Sequence, residues 1–512
     1  MNPTARIVIR YGLIAALLWG VGLRFYAISE WKQGLSHDES VSYLCAAATE
    51  AEYQERIESY TDSSITVSSI QEFYARPQQI ELGVVAKDLV NYDIHPPLYF
   101  WALHIQHVLV GSGITGGLWL NFGAGLILLL LTYLLARRAL GTVDLALVAC
   151  AIWYLSPAVV QIDLEARQYQ FMALCAMASY LLVIRSGPQG MSTGELALFT
   201  LVNAFGLLSH YYYSFVLVPG LVIVFMRHGL KWPLYRHLGS CVLSFGLFVI
   251  MFPEFLDFVV AYADRPKDPS AAQSVAHRTR TIAYAALAFF AQANAMRYLF
   301  LLLVGAGISA LAFRMIKRRI TAPFPISTPI GEAALILGWC AFFTVGLYLI
   351  GVSPPHAAGE QYFAYFWPLV AIVLVHVAGL LLPARSRPWI LIAYMLQLGY
   401  AFTTSVSGSE YLQRVLPAAW YDRIGTSELL IVDDWKRSFL PRAMRDLPTE
   451  TPLYLLNHEV PATGDLAHVT FLHLAIDGRP PSTALTDRLI GQGFVHDEVS
   501  THRHYELHTY TR

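Results

Sequence analysis

Ser36-His37-Asp38-Glu39-Ser40 sets two adjacent carboxylates about ten residues beyond the first long apolar run of the chain. Neighbouring carboxylates in a poorly hydrated site cannot both ionise cheaply, so one can be held near neutral pH as a general base for a hydroxyl group. The same residues read as a helix start, with Ser36 or Asp38 capping the helix that continues through Ser40-Val41-Ser42-Tyr43-Leu44, and the two readings are compatible. Three further polar sets interrupt apolar sequence. In Asp93-Ile94-His95-Pro96-Pro97-Leu98 a rigid Pro-Pro pair opens a helix, with a solvated Asp and His as the plain reading. In Glu165-Ala166-Arg167-Gln168-Tyr169 an Arg at a membrane surface can match a phosphate bidentately and the Tyr can add a hydrogen bond; an interfacial anchor with an internal salt bridge is the alternative. In Ser209-His210-Tyr211-Tyr212-Tyr213 an aromatic belt accounts for the tyrosines and leaves the histidine without a reason.

The elements that carry these residues follow from composition. The 512 residues are 55% hydrophobic and 14% charged, which is the composition of an integral membrane protein. A net charge of -1 offers no basic surface for nucleic acid. Cysteines at 45, 150, 175, 241 and 340 form neither a disulfide framework nor a zinc spacing. Arg6 and Arg10 precede an apolar stretch without a small-residue cleavage site, so an uncleaved first helix is expected.

Runs long enough to span a bilayer occur at 8–28, 117–136, 143–160, 168–184, 195–209, 211–226, 238–258, 298–313, 331–351, 362–383 and 388–405, about eleven spans. The fifth and sixth are short and separated by His210, as in a tight hairpin or one bent unit. Basic residues fall at every second boundary: Arg6 and Arg10, Arg137 and Arg138, Arg185, Arg227 with Lys231 and Arg236, Arg314 with Lys317 to Arg319, and Arg385 with Arg387. With the N-terminus inside, all of these face the cytoplasm and the C-terminus lies outside. The run 96–112, with His104, Gln106 and His107, would invert this order as a span and reads as an interfacial helix, as does 281–294.

The outer face then holds the first loop (29–115), the turn at 161–168, a basic loop at 259–297 with Arg265, Lys267, Arg278, Arg280 and Arg297, and a soluble tail from about 406. The tail reads as a small α/β domain, with strands at Leu429-Leu430-Ile431-Val432 and Leu453-Tyr454-Leu455-Leu456 and helices near 435–447 and 482–492. His502, His504 and His508 share a face if the tail is extended there, a pattern of either a metal site or a solvated strand. The expected class is a mainly α, polytopic helical membrane protein, with a membrane domain over 1–405 and a small C-terminal α/β domain over 406–512.

In order along the chain, Asp38-Glu39, His95-Pro96-Pro97-Leu98, Ala136-Arg137-Arg138, Glu165-Ala166-Arg167-Gln168-Tyr169 and Ser209-His210-Tyr211-Tyr212 resemble the bacterial members of the protein O-mannosyltransferase-like family of GT-C glycosyltransferases, which includes the aminoarabinose transferases acting on lipid A. The resemblance covers about the first 240 residues. In the later half Gln361 of Glu360-Gln361-Tyr362, ahead of Pro368, stands where such proteins often carry an Arg. The resemblance implies a GT-C fold and a polyprenyl-phosphate-linked sugar as donor. It also implies inverting transfer to a lipid, glycan or protein acceptor on the outer face of a bacterial inner membrane. It casts Asp38 as the base, with Glu39 orienting it or binding acceptor hydroxyls. Arg167, Tyr169, His95, His210 and Tyr211 then bind the donor phosphate, and His37, Glu165 and Asp93 serve the acceptor or support their neighbours. Asp38, Glu39, Glu165 and His95 are also types that can hold a divalent metal.

A transporter or flippase for a lipid-linked saccharide is the rival of another class, but it would place ionisable groups near the bilayer midplane in paired broken helices. Here the polar groups collect outside the spans. A polymerase or ligase of surface polysaccharide uses similar donors and centres on a large late outer loop rather than the first one.

Overall fold

A computed structural model describes the chain apart from residues 1–2, 94, 188, 258, 260–274, 290–323, 351–358, 384–385, 434–438, 458, 475–480 and 504. It divides into two compact units, Met1–Trp31 with His95–Tyr99 and Gly117–Ser409, and Lys32–Ile94 with Phe100–Gly116 and Glu410–Arg512. In chain order the helices begin with α1 Pro3–Tyr26, α2 His37–Ala47, α3 Glu50–Ser59, α4 Ser68–Gln71, α5 Leu82–Tyr92, α6 Leu98–Val110 and α7 Gly116–Leu140. They continue with α8 Val143–Tyr154, α9 Pro157–Leu164, α10 Tyr169–Arg185, α11 Thr193–Ser209, α12 Ser214–His228 and α13 Trp232–Met251. Helices Val275–Ala288, Pro329–Ile350, Trp367–Leu381 and Arg387–Ser407 complete the first unit.

Among the described residues every expected apolar run is helical. Among the described residues six helices are long and apolar enough to cross a membrane: Arg6–Trp31, Gly116–Leu140, Tyr211–His228, Trp232–Met251, Pro329–Leu347 and Arg387–Leu412. α10 and α11, of 17 residues each, reach about 26 Å at 1.5 Å per residue, near the lower limit for a span. The expected run 298–313, the basic groups Arg265, Lys267, Arg297, Arg314, Lys317 to Arg319 and Arg385, and the end of the expected helix 281–294 lie outside the described residues.

One expectation is corrected. The run 143–160 is not a single straight helix but α8 and α9, bent by 60° at Leu155-Ser156. The cause is Pro157 at the first turn of α9, which drives Ser156 to φ -65, ψ 134 and out of helical geometry. Ser156 Oγ then donates to Phe289 O at 2.7 Å. The fifth and sixth runs are two helices parted by His210, an extended residue at φ -164, ψ 140, and a short 3-10 turn over Tyr211–Tyr213. The turn is held by Tyr213, whose hydroxyl donates to Asn203 Oδ1 at 2.8 Å. Its ring lies where a Cβ on Gly206 would be, 2.2 Å away, so only glycine allows this return.

Ion pairs within the first unit gather the basic boundaries at one end of its helices. Arg6 and Arg10 pair with Asp144 at the start of α8, Arg10 at 2.9 Å. Arg227 binds Glu332 in the first turn of Pro329–Ile350 at 2.5 Å and donates to the carbonyls of Val183 and Ser186 at the end of α10, each at 2.9 Å. Arg236 donates to Thr193 Oγ1 at the start of α11. Because α10 ends and α11 begins at this end, Tyr169 and His210 lie at the other.

The second unit is built on a six-stranded sheet ordered β1-β3-β2-β4-β6-β5, with β1 Ser64–Thr66, β2 Leu429–Val432, β3 Pro452–Leu455, β4 His468–Leu474, β5 Val495–His502 and β6 Tyr505–Thr511. β2 pairs in parallel with β3 and β4, and the other ladders are antiparallel. Leu430 and Val432 face a core with Tyr53, Ile57, Phe73 and Trp420, while Leu429 and Ile431 face another with Phe471, Leu485 and Leu489. A strand buried on both faces reads as an unbroken apolar run, as Leu429-Leu430-Ile431-Val432 does. The expected tail helices are Phe439–Met444 and Thr483–Gly491 over their described parts. In the same unit His104 donates through Nδ1 to Ala46 O at 2.7 Å and accepts Glu81 N–H through Nε2 at 2.9 Å. That pinning explains how His104 is accommodated fully buried.

Candidate active site: a histidine-arginine cluster and an acidic helix turn

In the first unit, α9 ends because Glu165 takes an extended conformation (φ -108, ψ 128). Arg167 N donates to Glu165 O at 2.8 Å, closing a three-residue turn, and Asn121 Nδ2 of α7 donates to the same carbonyl at 2.6 Å. The loop presses Ala166 against the start of α7, where a Cβ on Gly117 would lie 2.4 Å from Ala166 Cβ and 2.6 Å from Tyr99 Oη. Gly117→Ala is therefore expected to displace the loop, costing about 1–3 kcal/mol of stability. Thermal unfolding of the variant beside wild type measures the loss.

This turn aims Arg167, 5% exposed, at His95, 8% exposed, with Arg167 Nη2 3.3 Å from His95 Nδ1. A guanidinium only donates, so His95 Nδ1 accepts and the neutral ring carries its proton on Nε2. His210 is fixed the same way: its Nδ1 accepts Tyr212 N–H at 3.1 Å, which leaves Nε2 the protonated nitrogen. The two imidazole centroids are 5.6 Å apart, and Tyr169 lies 5.6 Å from His210. Tyr362 closes the group, 5.8 Å from both Tyr169 and Tyr212 and 6.3 Å from His210. One permanent cation, two N–H donors of set tautomer and several phenols are the donor set that suits a phosphate oxyanion.

The structure thus brings together His95, Arg167, Tyr169 and His210 and adds Tyr212 and Tyr362. Tyr211 instead packs its ring on Phe255 at 5.9 Å. A 3-10 turn sends consecutive side chains about 120° apart, so only one of two adjacent tyrosines can face His210. Tyr362 was marked in the sequence by its place beside Gln361.

The acidic turn belongs to the second unit. Ser36 is the cap of α2: Glu39 N donates to Ser36 Oγ at 3.1 Å and Ser36 N to Glu39 Oε2 at 2.7 Å, a reciprocal capping box. Glu39 is further clamped by Lys32, whose Nζ lies 2.7 and 2.6 Å from its two oxygens and 2.6 Å from Tyr411 O. Both side chains are fully buried. Asp38 is half-buried and His37 exposed, and Asp38 O accepts from Ser42 Oγ at 3.0 Å. Ser40 Oγ bonds Tyr74 Oη at 2.5 Å, and burial pushes the Tyr74 phenol up, so the bond stays neutral. Asp93 ends α5, its N–H bonded to Leu89 O at 3.1 Å. Asp38, Glu39, His37 and Asp93 thus share one unit, and Glu165, with the histidine-arginine cluster, lies in the other.

Among the described residues no three His, Cys, Asp or Glu side chains converge as a metal set. In the tail His508 Nδ1 lies 3.3 Å from His496 Nε2 and its Nε2 3.2 Å from Glu506 Oε2. His504 is outside the described residues.

Residues 94–255 match the family model described as dolichyl-phosphate-mannose-protein mannosyltransferase. No curated protein sequence matches the chain. Among solved structures, ArnT from Cupriavidus metallidurans superposes at a TM-score of 0.52 with 14% identity, over 97% of this chain and 97% of that one, both bound to undecaprenyl phosphate and in the apo state. The oligosaccharyltransferase from Archaeoglobus fulgidus, in complex with zinc and sulfate, aligns at 0.45 and 14% identity over 90% of this chain and 67% of that one. The chain thus has an ArnT-like GT-C fold, and its segment 94–255 resembles the mannosyltransferase family.

Proposed function

We propose that the chain transfers a sugar from a polyprenyl-phosphate-linked donor to a hydroxyl of a lipid, glycan or protein, with inversion, at the periplasmic face of a bacterial inner membrane. The observation that carries this reading is the buried Arg167-His95-His210 cluster, set at the end of the first unit opposite its basic boundaries. Under the rule that basic loops stay in the cytoplasm, that end is periplasmic. Residues 1–405 would form the membrane domain and 406–512 a periplasmic one.

In this reaction Asp38 takes the proton of the acceptor hydroxyl. The acceptor oxygen forms a bond to the anomeric carbon as the bond from that carbon to the phosphate oxygen breaks, and the polyprenyl phosphate departs with the electron pair. Arg167, the Nε2–H groups of His95 and His210, and the hydroxyls of Tyr169, Tyr212 and Tyr362 stabilise the phosphate as negative charge grows on it. Glu39, already bound to Lys32 and to the cap of α2, holds the turn that presents Asp38. His37, Asp93 and Glu165 would serve as acceptor contacts or supports.

Undecaprenyl phosphate binding tests the phosphate role. Arg167→Ala is expected to raise the dissociation constant about tenfold or more, the scale of a lost charge-assisted bond of 1.5–3 kcal/mol. An unchanged constant in folded protein would remove Arg167 from the donor site.

A further inference from the structure

Arg24 of α1 and Asp163 of α9 form an ion pair, Nε to Oδ2 at 2.5 Å, with side chains only 1% and 4% exposed. A pair so buried adds little net stability, because removing two charges from water offsets most of their attraction. Its surroundings give it another use. Arg24 Nη2 donates at 2.6 Å to Tyr154 O, the last carbonyl of α8 before the 60° bend. Its guanidinium lies 4.0 Å from the Tyr154 ring and 4.9 Å from that of Phe402. One planar cation therefore joins the end of α8 to the far end of α9 across the break, where a positive charge also suits the carbonyl end of α8. Asp163 meanwhile accepts a hydrogen bond from Gln170 Nε2 at the start of α10. Asp163 and Gln170 flank Glu165-Ala166-Arg167, so their bond closes the loop at its base.

We propose that Arg24, Asp163 and Gln170 are positioning residues for the Arg167 loop: they set the angle between α8 and α9 and thereby the place of the Arg167 guanidinium. The inference rests on the reading of Arg167 as a ligand of the donor phosphate.

The test compares undecaprenyl phosphate affinity, turnover of a polyprenyl-phosphate sugar and melting temperature in four proteins: wild type, Asp163→Asn, the double variant Arg24→Met/Asp163→Leu, and Arg167→Ala. Asp163→Asn keeps the shape and can still accept from Gln170. The double variant removes both charges and is expected to keep or regain the wild-type melting temperature. Both are expected to bind undecaprenyl phosphate about 10- to 100-fold more weakly, as a misplaced binding group does. In the double variant, that split between affinity and melting temperature is what a merely structural pair would not produce. Wild-type affinity and turnover in a folded double variant, or in Asp163→Asn, would overturn the inference. If Arg167→Ala alone weakens binding, only the positioning role fails; if Arg167→Ala binds normally, the underlying reading fails.

Discussion

Asp38→Asn is expected to slow sugar transfer by a factor of about 10²–10⁴, the usual contribution of a general base, with melting temperature and undecaprenyl phosphate affinity unchanged. The contrast with its neighbour makes this expectation sharp. Glu39 is fully buried, clamped by Lys32 Nζ at 2.7 and 2.6 Å and bound to the cap of α2, so it is committed to holding the turn. Asp38 is half-buried in the same turn and its carboxylate is outside the capping box. Asparagine keeps its size and its place in the helix while removing the proton acceptor. Single-turnover consumption of a radiolabelled polyprenyl-phosphate sugar measures the effect. A normal rate would take the proton-accepting role away from Asp38.

Lys32→Met is expected to destabilise the second unit by about 3–5 kcal/mol, because it strands the Glu39 carboxylate without its cation in a site closed to water. The paired variant Lys32→Met/Glu39→Met should recover most of that loss. What remains is the cost of the broken capping box, about 1 kcal/mol. Thermal unfolding of the three proteins in one detergent decides it. A Lys32→Met melting temperature equal to wild type would mean that Glu39 is not locked, and that both carboxylates compete for the proton.

Much of this was legible in the sequence. The helices were, because a bilayer demands long apolar runs and the alternation of basic boundaries orders them. The Ser36 cap was, because Ser followed by Glu at the third helical position is a local device. The bend between α8 and α9 was written in Ser156-Pro157, but hydropathy averages over a proline and reads one run. Long-range partners were not legible. Nothing local says that Lys32 will find Glu39, that Arg24 will reach Asp163, or that Ser64–Thr66 of the first loop will pair with Pro452–Leu455 of the tail. β5 escaped notice because it is an edge strand, largely exposed, with Asp497 and Glu498 in its middle. Its turn into β6 uses Arg503 at φ 54 rather than a glycine signal. In the candidate site, the residue types of His95, Arg167, Tyr169 and His210 were readable. The choice of Tyr212 over Tyr211 was not, since it depends on the rotation of a single 3-10 turn.

The central claim is that this chain breaks the bond between sugar and polyprenyl phosphate. It is tested most directly in proteoliposomes made with bacterial envelope lipids, loaded on one face with a polyprenyl-phosphate donor radiolabelled in the sugar. Wild-type protein is expected to move the label off the polyprenyl chain onto another acceptor and to release free polyprenyl phosphate, and Asp38→Asn to do neither. Label that crosses the bilayer still attached to its polyprenyl phosphate, equally in both proteins, would contradict it and make the chain a transporter.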